Sequence, residues 1–124
     1  MPKAFASVFI ALILTFALAK DMTAGSEAHR IRTAFFEVFG ITPIPCNLED
    51  DIVSFACGLY AADFTTFSVN LDAYMPRSYP GLELVNNWFQ NGTGVVRDYR
   101  SRSSQYLFVY NPGGYIVLVH VPLQ

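Results

Sequence analysis

The segment YLFVYNPGGYIVLVHV, residues 106–121, decides the fold. Two runs of apolar and aromatic residues, 106–110 and 115–121, flank Asn111-Pro112-Gly113-Gly114, whose residue types are typical of a turn between antiparallel strands. The second run is apolar at both alternating sets of positions, as in a strand whose two sheet faces are both partly covered. The segment therefore predicts a hairpin at the centre of an antiparallel sheet.

A second hairpin and an earlier strand extend this sheet. Residues 84–90 and 95–102 flank Asn91-Gly92-Thr93-Gly94, in which Asn-Gly is a strong hairpin signal. Residues 52–60 also have the alternation of a strand. The apolar face predicted for that strand consists of Val53, Phe55, Cys57 and Leu59.

An amphipathic helix is predicted over residues 24–39. Thr23 or Ser26 can cap its start, and Gly40 is a normal stop. Its apolar residues recur at helical spacing, which predicts one buried stripe. The members of that stripe are Ala28, Ile31, Phe35 and Val38.

Residues 63–75 fit two interpretations. Phe64, Phe67, Leu71 and Tyr74 form a helical stripe, whereas residues 67–73 also alternate as a strand would. A helix is favoured for two reasons. Asp63 and Pro76 supply a cap and a stop, and Ala61-Ala62-Asp63 contains no tight-hairpin residue.

The fold class that follows is α+β. We expect a two-layer sandwich of two helices on a mainly antiparallel sheet of four to five strands, in the order α-β-α-β-β-β-β. Residues 20–124 are long enough for one domain with one core.

Residues 1–19 have the layout of a cleaved signal peptide. Lys3 precedes an uncharged apolar run, residues 4–18, and Ala17-Leu18-Ala19 is a typical cleavage site. The run is short for a spanning helix, which needs about 20 apolar residues, although an uncleaved anchor is the alternative. The chain is therefore expected to be secreted or periplasmic, without a stable membrane span after cleavage.

Composition excludes several classes of protein. The chain has 8 basic and 10 acidic side chains and a net charge of −2, so it offers no field for a nucleic acid. Its hydrophobic content of 52% excludes a disordered tail.

Cys46 and Cys57 are the only cysteines in the chain. Export allows a disulfide and the even count favours one, so we expect them to be bonded, with two free buried thiols as the alternative. His29 and His120 lack the spacing of metal ligands, and no metal site is predicted.

No catalytic or cofactor-binding motif occurs in the sequence, so no cofactor is expected. The residues that could assemble a small hydrolase site are Arg97, Asp98, Arg100 and His120. The acidic run Glu49-Asp50-Asp51 is more typical of a solvated loop than of a pair of tuned carboxylates.

The candidate binding surface is one face of the predicted sheet. Tyrosine, tryptophan and arginine are the side chains that most often anchor contacts at interfaces. If helices cover only one face, the aromatic residues of the other are free to bind, whereas burial of both faces would make them core. The candidate residues are Trp88, Arg97, Tyr99, Arg100, Tyr106, Phe108 and Tyr110.

The function predicted is a small exported binding module without catalysis, whose partner is a protein, a glycan or a second copy as a homodimer. The alternatives are an inhibitor or immunity-type partner of a secreted enzyme, presenting Glu49–Asp51, and a small hydrolase. Asn91 also matches a glycosylation acceptor, which matters only in a eukaryotic source.

Overall fold

The structure is a computed structural model that describes residues 26–123. The predicted signal peptide, residues 1–19, lies outside the described residues. The described part contains two helices and seven strands. They are α1 (Glu27–Phe39), β1 (Thr42–Ile44), β2 (Ser54–Leu59), α2 (Phe64–Ser78), β3 (Glu83–Leu84), β4 (Phe89–Asn91), β5 (Gly94–Arg100), β6 (Ser104–Asn111) and β7 (Tyr115–Pro122).

The strands form one open sheet in the order β1-β2-β7-β6-β5-β3, with β4 also paired to β5. Every pairing between them is antiparallel. The α+β class is confirmed, but the count of four to five strands is wrong. The sequence analysis missed the short edge strand β1, and residues predicted as one strand, 84–90, form two short ones on the same edge of β5.

Both predicted hairpins are confirmed. Asn91 pairs with Gly94 across the β4–β5 turn, and Asn111 pairs with Tyr115 across the β6–β7 turn. Gly92 has a φ of 65°, in the left-handed region that side chains disfavour, which explains a glycine in the first turn. The strand predicted at the sheet centre, β7, lies between β2 and β6.

Helix α1 begins and ends as its sequence predicts. The Ser26 hydroxyl accepts a hydrogen bond of 3.1 Å from the backbone N–H of His29, and Gly40 closes the helix with a left-handed φ of 66°. The predicted stripe is wrong at one position, because Val38 is 62% exposed and Phe36 is buried in its place. Phe36 can pack closely on β2 because Gly58 has no side chain. A Cβ atom at Gly58 would collide with the Phe36 ring.

Residues 64–78 form helix α2, which confirms the helical interpretation. The Asp63 carboxylate accepts a hydrogen bond of 2.9 Å from the N–H of Thr66, and Phe67, Leu71 and Met75 are buried. Pro76 is not the stop but lies inside the last turn. Pro76 lacks the N–H that would bond the preceding turn, yet the helix continues, because the N–H of Tyr79 bonds the Met75 carbonyl at 2.8 Å.

Both helices pack on the same face of the sheet, which we call the inner face. The ring of Phe35 in α1 lies 4.9 Å from that of Phe108 and 6.1 Å from that of Phe67 in α2, measured between centroids. Strand register places three rows of side chains on the inner face. They are Val95, Tyr110, Ile116 and Gly58; Arg97, Phe108, Leu118 and Ala56; and Tyr99, Tyr106, His120 and Ser54.

The predicted apolar face of β2 points away from the helices. Ala56 and Gly58 are on the inner face, so Phe55, Cys57 and Leu59 lie on the opposite, outer face. The physical reason is space, because small side chains in β2 admit the bulky aromatic residues of α1. The alternation in the sequence predicts the strand correctly, and the structure places its apolar set on the outer face.

Candidate functional site

The predicted disulfide between Cys46 and Cys57 is present, with the two Cα atoms 5.2 Å apart. It ties the segment that follows β1 to the outer face of β2. The acidic run Glu49–Asp51 in this segment is exposed. One Asp50 carboxylate oxygen accepts hydrogen bonds from the N–H groups of Ile52 and Val53, at 2.8 and 3.0 Å, which lower the pKa of that carboxyl.

No group of three or more His, Cys, Asp or Glu residues in the described part could hold a metal ion. No helix among residues 26–123 is long and apolar enough to cross a membrane.

The aromatic residues of the predicted binding face belong to the core. Tyr106 and Phe108 are 0% exposed, and Tyr99 is 3% exposed. Tyr110 is half-buried, and its hydroxyl donates a hydrogen bond of 2.9 Å to the Ala62 carbonyl. The expectation that helices leave this face open is wrong, because both helices cover it. A partner cannot reach Tyr106 or Phe108 in this structure.

Two other candidate residues, Trp88 and Arg97, meet at a carboxylate that the sequence analysis did not single out. Asp72 of α2 accepts hydrogen bonds from Trp88 Nε1 at 3.1 Å and from Arg97 Nε at 3.0 Å. The guanidinium also lies over the Trp88 ring, 5.4 Å from its centroid, in a cation–π contact. These bonds join α2 to β5 and to the residue before β4, so the carboxylate is already satisfied.

The four residues of the hydrolase hypothesis do not converge. Arg97 and His120 are on the inner face, whereas Asp98 and Arg100 are on the outer face. Asp98 is 4% exposed, and its Oδ2 accepts a hydrogen bond of 2.9 Å from Gln105 Nε2. Its Oδ1 is buried without a hydrogen-bond partner in the described part.

His120 lies instead in a polar cluster at the edge of the core. Its Nε2 is 2.8 Å from the Ser104 hydroxyl, and its ring stacks on that of Tyr106 with centroids 5.2 Å apart. The Tyr106 hydroxyl donates to Glu27 at 2.6 Å, and Ser101 donates to the same oxygen at 3.2 Å. Burial lowers the pKa of His120, while the nearby Glu27 charge opposes that effect.

A serine hydroxyl beside an imidazole is the start of a nucleophilic site, but here the serine is buried and the imidazole is half-buried. Ser104 is 7% exposed, and Tyr106 is fully buried beside it. The arrangement pairs His120 Nε2 with the Ser104 hydroxyl, whereas the buried Nδ1 of His120 has no hydrogen-bond partner in the described part. Sequence reasoning missed the cluster because Ser104 and His120 meet only through the β6–β7 register.

The outer face of the sheet is the main apolar surface that neither helix covers. Register aligns two rows across β5, β6, β7 and β2 on this face. The first row is Val96, Val109, Val117 and Cys57, and the second is Asp98, Leu107, Val119 and Phe55. Val96 and Val117 are buried, whereas Leu107, Val109 and Val119 are half-buried. Phe89 and Leu59 flank the rows and are 38% and 47% exposed.

Comparisons with protein-family models, with curated proteins and with solved structures find no match to this chain.

Proposed function

We propose that this protein is an exported, non-catalytic interaction module that forms a homodimer through the outer face of its sheet. The observation that supports the proposal is the one-sided placement of the helices. Both lie on the inner face, while six of the eight residues in the two outer-face rows are valine, leucine or phenylalanine, the other two being Cys57 and Asp98. A contiguous apolar patch on a domain surface is typical of an interaction site.

A second copy suits this face in shape. Two sheets pack face to face at about 10 Å, with interdigitating side chains, when each supplies an apolar surface. Because apolar side chains make up most of both rows, the face can pack against a second copy of itself. A two-fold axis then brings the same patch of both copies together.

The size of the face sets the expected strength. Four strands about 4.8 Å apart and about 20–25 Å long give a footprint of about 400–500 Å² per copy. Two copies therefore bury close to the lower limit for specific interfaces, about 1,000 Å² in total. We expect reversible association in the micromolar range rather than an obligate dimer.

The rim of the face carries both signs of charge. Arg100 and Glu83 are direct partners in the β5–β3 pairing, and both side chains are exposed on the outer side. Neither forms an ion pair within the described residues. In a two-fold arrangement each copy offers a base and an acid to the other, which favours orientation more than affinity.

The experiment is sedimentation velocity on the purified protein from about 1 to 200 μM, a range that spans the affinity expected of a small interface. The variants Val109→Lys and Val119→Lys place a charge in the centre of the outer face. The matched control is Val69→Lys, because Val69 is 62% exposed on α2, in the opposite layer.

The proposal predicts a concentration-dependent dimer for the wild type and for Val69→Lys, and a monomer for the two outer-face variants. A wild type that stays monomeric throughout, or a dimer that persists in both outer-face variants, would overturn it. Thermal unfolding of each variant establishes that the domain is still folded.

A further inference from the structure

A cleft of about 320 Å³ lies between α1 and α2, beside the end of β2. This volume is in the range of small-molecule sites. Phe39 of α1, Tyr60 and Tyr74 of α2 supply aromatic rings to its lining, with Phe39 5.4 Å from Tyr74 and 6.2 Å from Tyr60 between centroids. The cleft is on the helical layer, so it is separate from the proposed dimer face.

One wall of the cleft contains Val38, an apolar residue that is not part of the core. Val38 has the helical spacing of a core residue, yet it lines the cleft and is 62% exposed. Ala73 of α2 also lines the cleft, and its side chain is small. These residues give the cleft an apolar interior that opens to solvent.

The polar groups of the cleft favour an anion. Arg77 is the one charged residue of the lining, and no acidic side chain lines the cleft. The Arg77 guanidinium forms no ion pair within the described residues. The Asn70 amide, which approaches the Tyr60 hydroxyl at 3.5 Å, adds a neutral donor. In a chain of net charge −2, this is a local positive site.

We propose that the cleft binds a small aromatic carboxylate. The ring of the ligand packs against Phe39 and Tyr74, since aromatic side chains favour edge-to-face and offset contacts with another ring. Its carboxylate accepts hydrogen bonds from the Arg77 guanidinium, whose planar donors match the two carboxylate oxygens. The combination of apolar walls and a few convergent polar groups is that of a ligand site.

The test uses two probes of nearly equal shape, 1-naphthaleneacetate and its neutral amide, 1-naphthaleneacetamide. Binding to the purified protein is measured by calorimetry, and the Asn70 side-chain amide resonance is followed by NMR. Arg77→Gln removes the cation, and Ala73→Phe fills the cleft. Arg102→Gln is the matched control, because Arg102 is an exposed arginine that does not line the cleft.

The proposal predicts that the acetate binds about tenfold or more tightly than the amide, because only the anion gains charge-assisted hydrogen bonds. Arg77→Gln abolishes this preference, Ala73→Phe abolishes binding, and Arg102→Gln changes neither. The Asn70 resonance shifts on titration of the wild type.

Three results would overturn the proposal: no binding of the acetate at millimolar concentration, equal affinity for acetate and amide, or binding unchanged in Ala73→Phe. If Arg77→Gln does not fold, two measurements still test the proposal: the affinities of the wild type for the two probes, and the binding of the acetate to Ala73→Phe. The dimer test is independent, because Arg77 and Ala73 are on the opposite layer from the outer face.

Discussion

The hydroxyl of Tyr106 in β6 donates a hydrogen bond of 2.6 Å to a carboxylate oxygen of Glu27 in the first turn of α1. The ring of Tyr106 is fully buried, whereas Glu27 is exposed. The bond therefore joins the start of the helix to the sheet at the edge of the core. The carboxylate also lies at the helix N-terminus, where a negative charge is favourable.

This hydrogen bond predicts that two substitutions of Tyr106 lower the free energy of unfolding by different amounts. Tyr106→Phe removes only the hydrogen bond and should lower the free energy of unfolding by about 1 kcal/mol. Tyr106→Ala removes the buried ring and should lower it by about 3–5 kcal/mol. Urea unfolding measures both.

A double-mutant cycle with Glu27→Gln supplies the control, because Tyr106→Phe should cost less when the carboxylate is absent. A Tyr106→Ala variant as stable as the wild type would mean that the ring is not core. In that case the inner face around Tyr106 would again be a candidate binding surface.

The half-buried His120 predicts acid sensitivity. Burial holds the pKa of His120 below its ordinary value of 6.5, so the unfolded chain binds the proton at a higher pH than the folded protein. The free energy of unfolding should therefore be unaffected by this group well above pH 6.5 and fall as the pH drops below it. Denaturant melts from pH 8 to pH 5 measure the slope.

Two variants show whether His120 is responsible. His120→Gln should flatten the slope in that window, and His29→Gln, on α1, should preserve it. The hydrogen bond from Thr66 lowers the pKa of Asp63 from its ordinary value of 3.8. The contribution of Asp63 to the free energy of unfolding is therefore lost only below about pH 3.8, outside the window from pH 8 to pH 5. An unchanged slope in His120→Gln would assign the acid sensitivity to another group.

Much of the fold is local enough to be predicted from sequence. The two hairpins follow from turn residues such as Gly92, and α1 and α2 begin at the side-chain caps Ser26 and Asp63. These signals involve residues within three or four positions of each other. They need no knowledge of the tertiary structure.

The choice of face is what the sequence could not decide. In β6 and β7 both sets of alternating residues are apolar, so period two does not show which set the helices cover. The answer depends on Gly58 and Ala56, whose small size admits Phe36 and its neighbours on the inner face. The aromatic rings were consequently predicted on the open side, although they are the core.

Only the disulfide could be predicted from the sequence, because its prediction needs no more than the number of cysteines. Cys46 and Cys57 could be paired because they are the only two cysteines, and the bond is present. Asp72 and Arg97 lie 25 positions apart, and their contact depends on where α2 crosses the sheet. No local pattern contains that information.

The disulfide predicts a measurable dependence of stability on redox state. The bridge closes a loop with a sequence separation of 11, which in the chain-entropy account stabilises the fold by about 2–3 kcal/mol. Reduction should lower the free energy of unfolding by this amount. Urea unfolding with and without reductant measures the loss, and thiol titration confirms that the bond has opened.

The control is the double variant Cys46→Ser/Cys57→Ser, which should have the stability of the reduced wild type and not respond to reductant. Full stability of the wild type after both thiols are titrated would contradict the prediction.

The signal peptide predicted over residues 1–19 implies a defined processing site. The small residues Ala17 and Ala19 place cleavage before Lys20, so the exported protein should begin at Lys20. Mass spectrometry of the exported protein measures this end. Ala19→Leu should block processing, whereas Leu18→Phe, at the position that tolerates larger residues, should not. Exported wild type that retains residues 1–19 would contradict the prediction.

The two hairpin turns predict different costs for the same substitution at a glycine in each, Gly92 in the β4–β5 turn and Gly114 in the β6–β7 turn. Gly114 has a φ of 82° and lies against the Tyr60 carbonyl, so a methyl group there meets both backbone strain and a collision. The N–H of Tyr60 also bonds the Gly114 carbonyl at 2.8 Å, which limits how far the turn can move. Gly92 has a φ of 65° but open space around it.

Gly92→Ala should therefore lower the free energy of unfolding by about 1–2 kcal/mol, the cost of a left-handed residue. Gly114→Ala adds the steric term and should lower it by about 2–5 kcal/mol. Urea unfolding of both variants compares them directly, with Gly92→Ala as the matched control for strain alone. Equal losses would mean that the turn shifts away from Tyr60 at no cost, and that this contact does not hold the hairpin against the strand before α2.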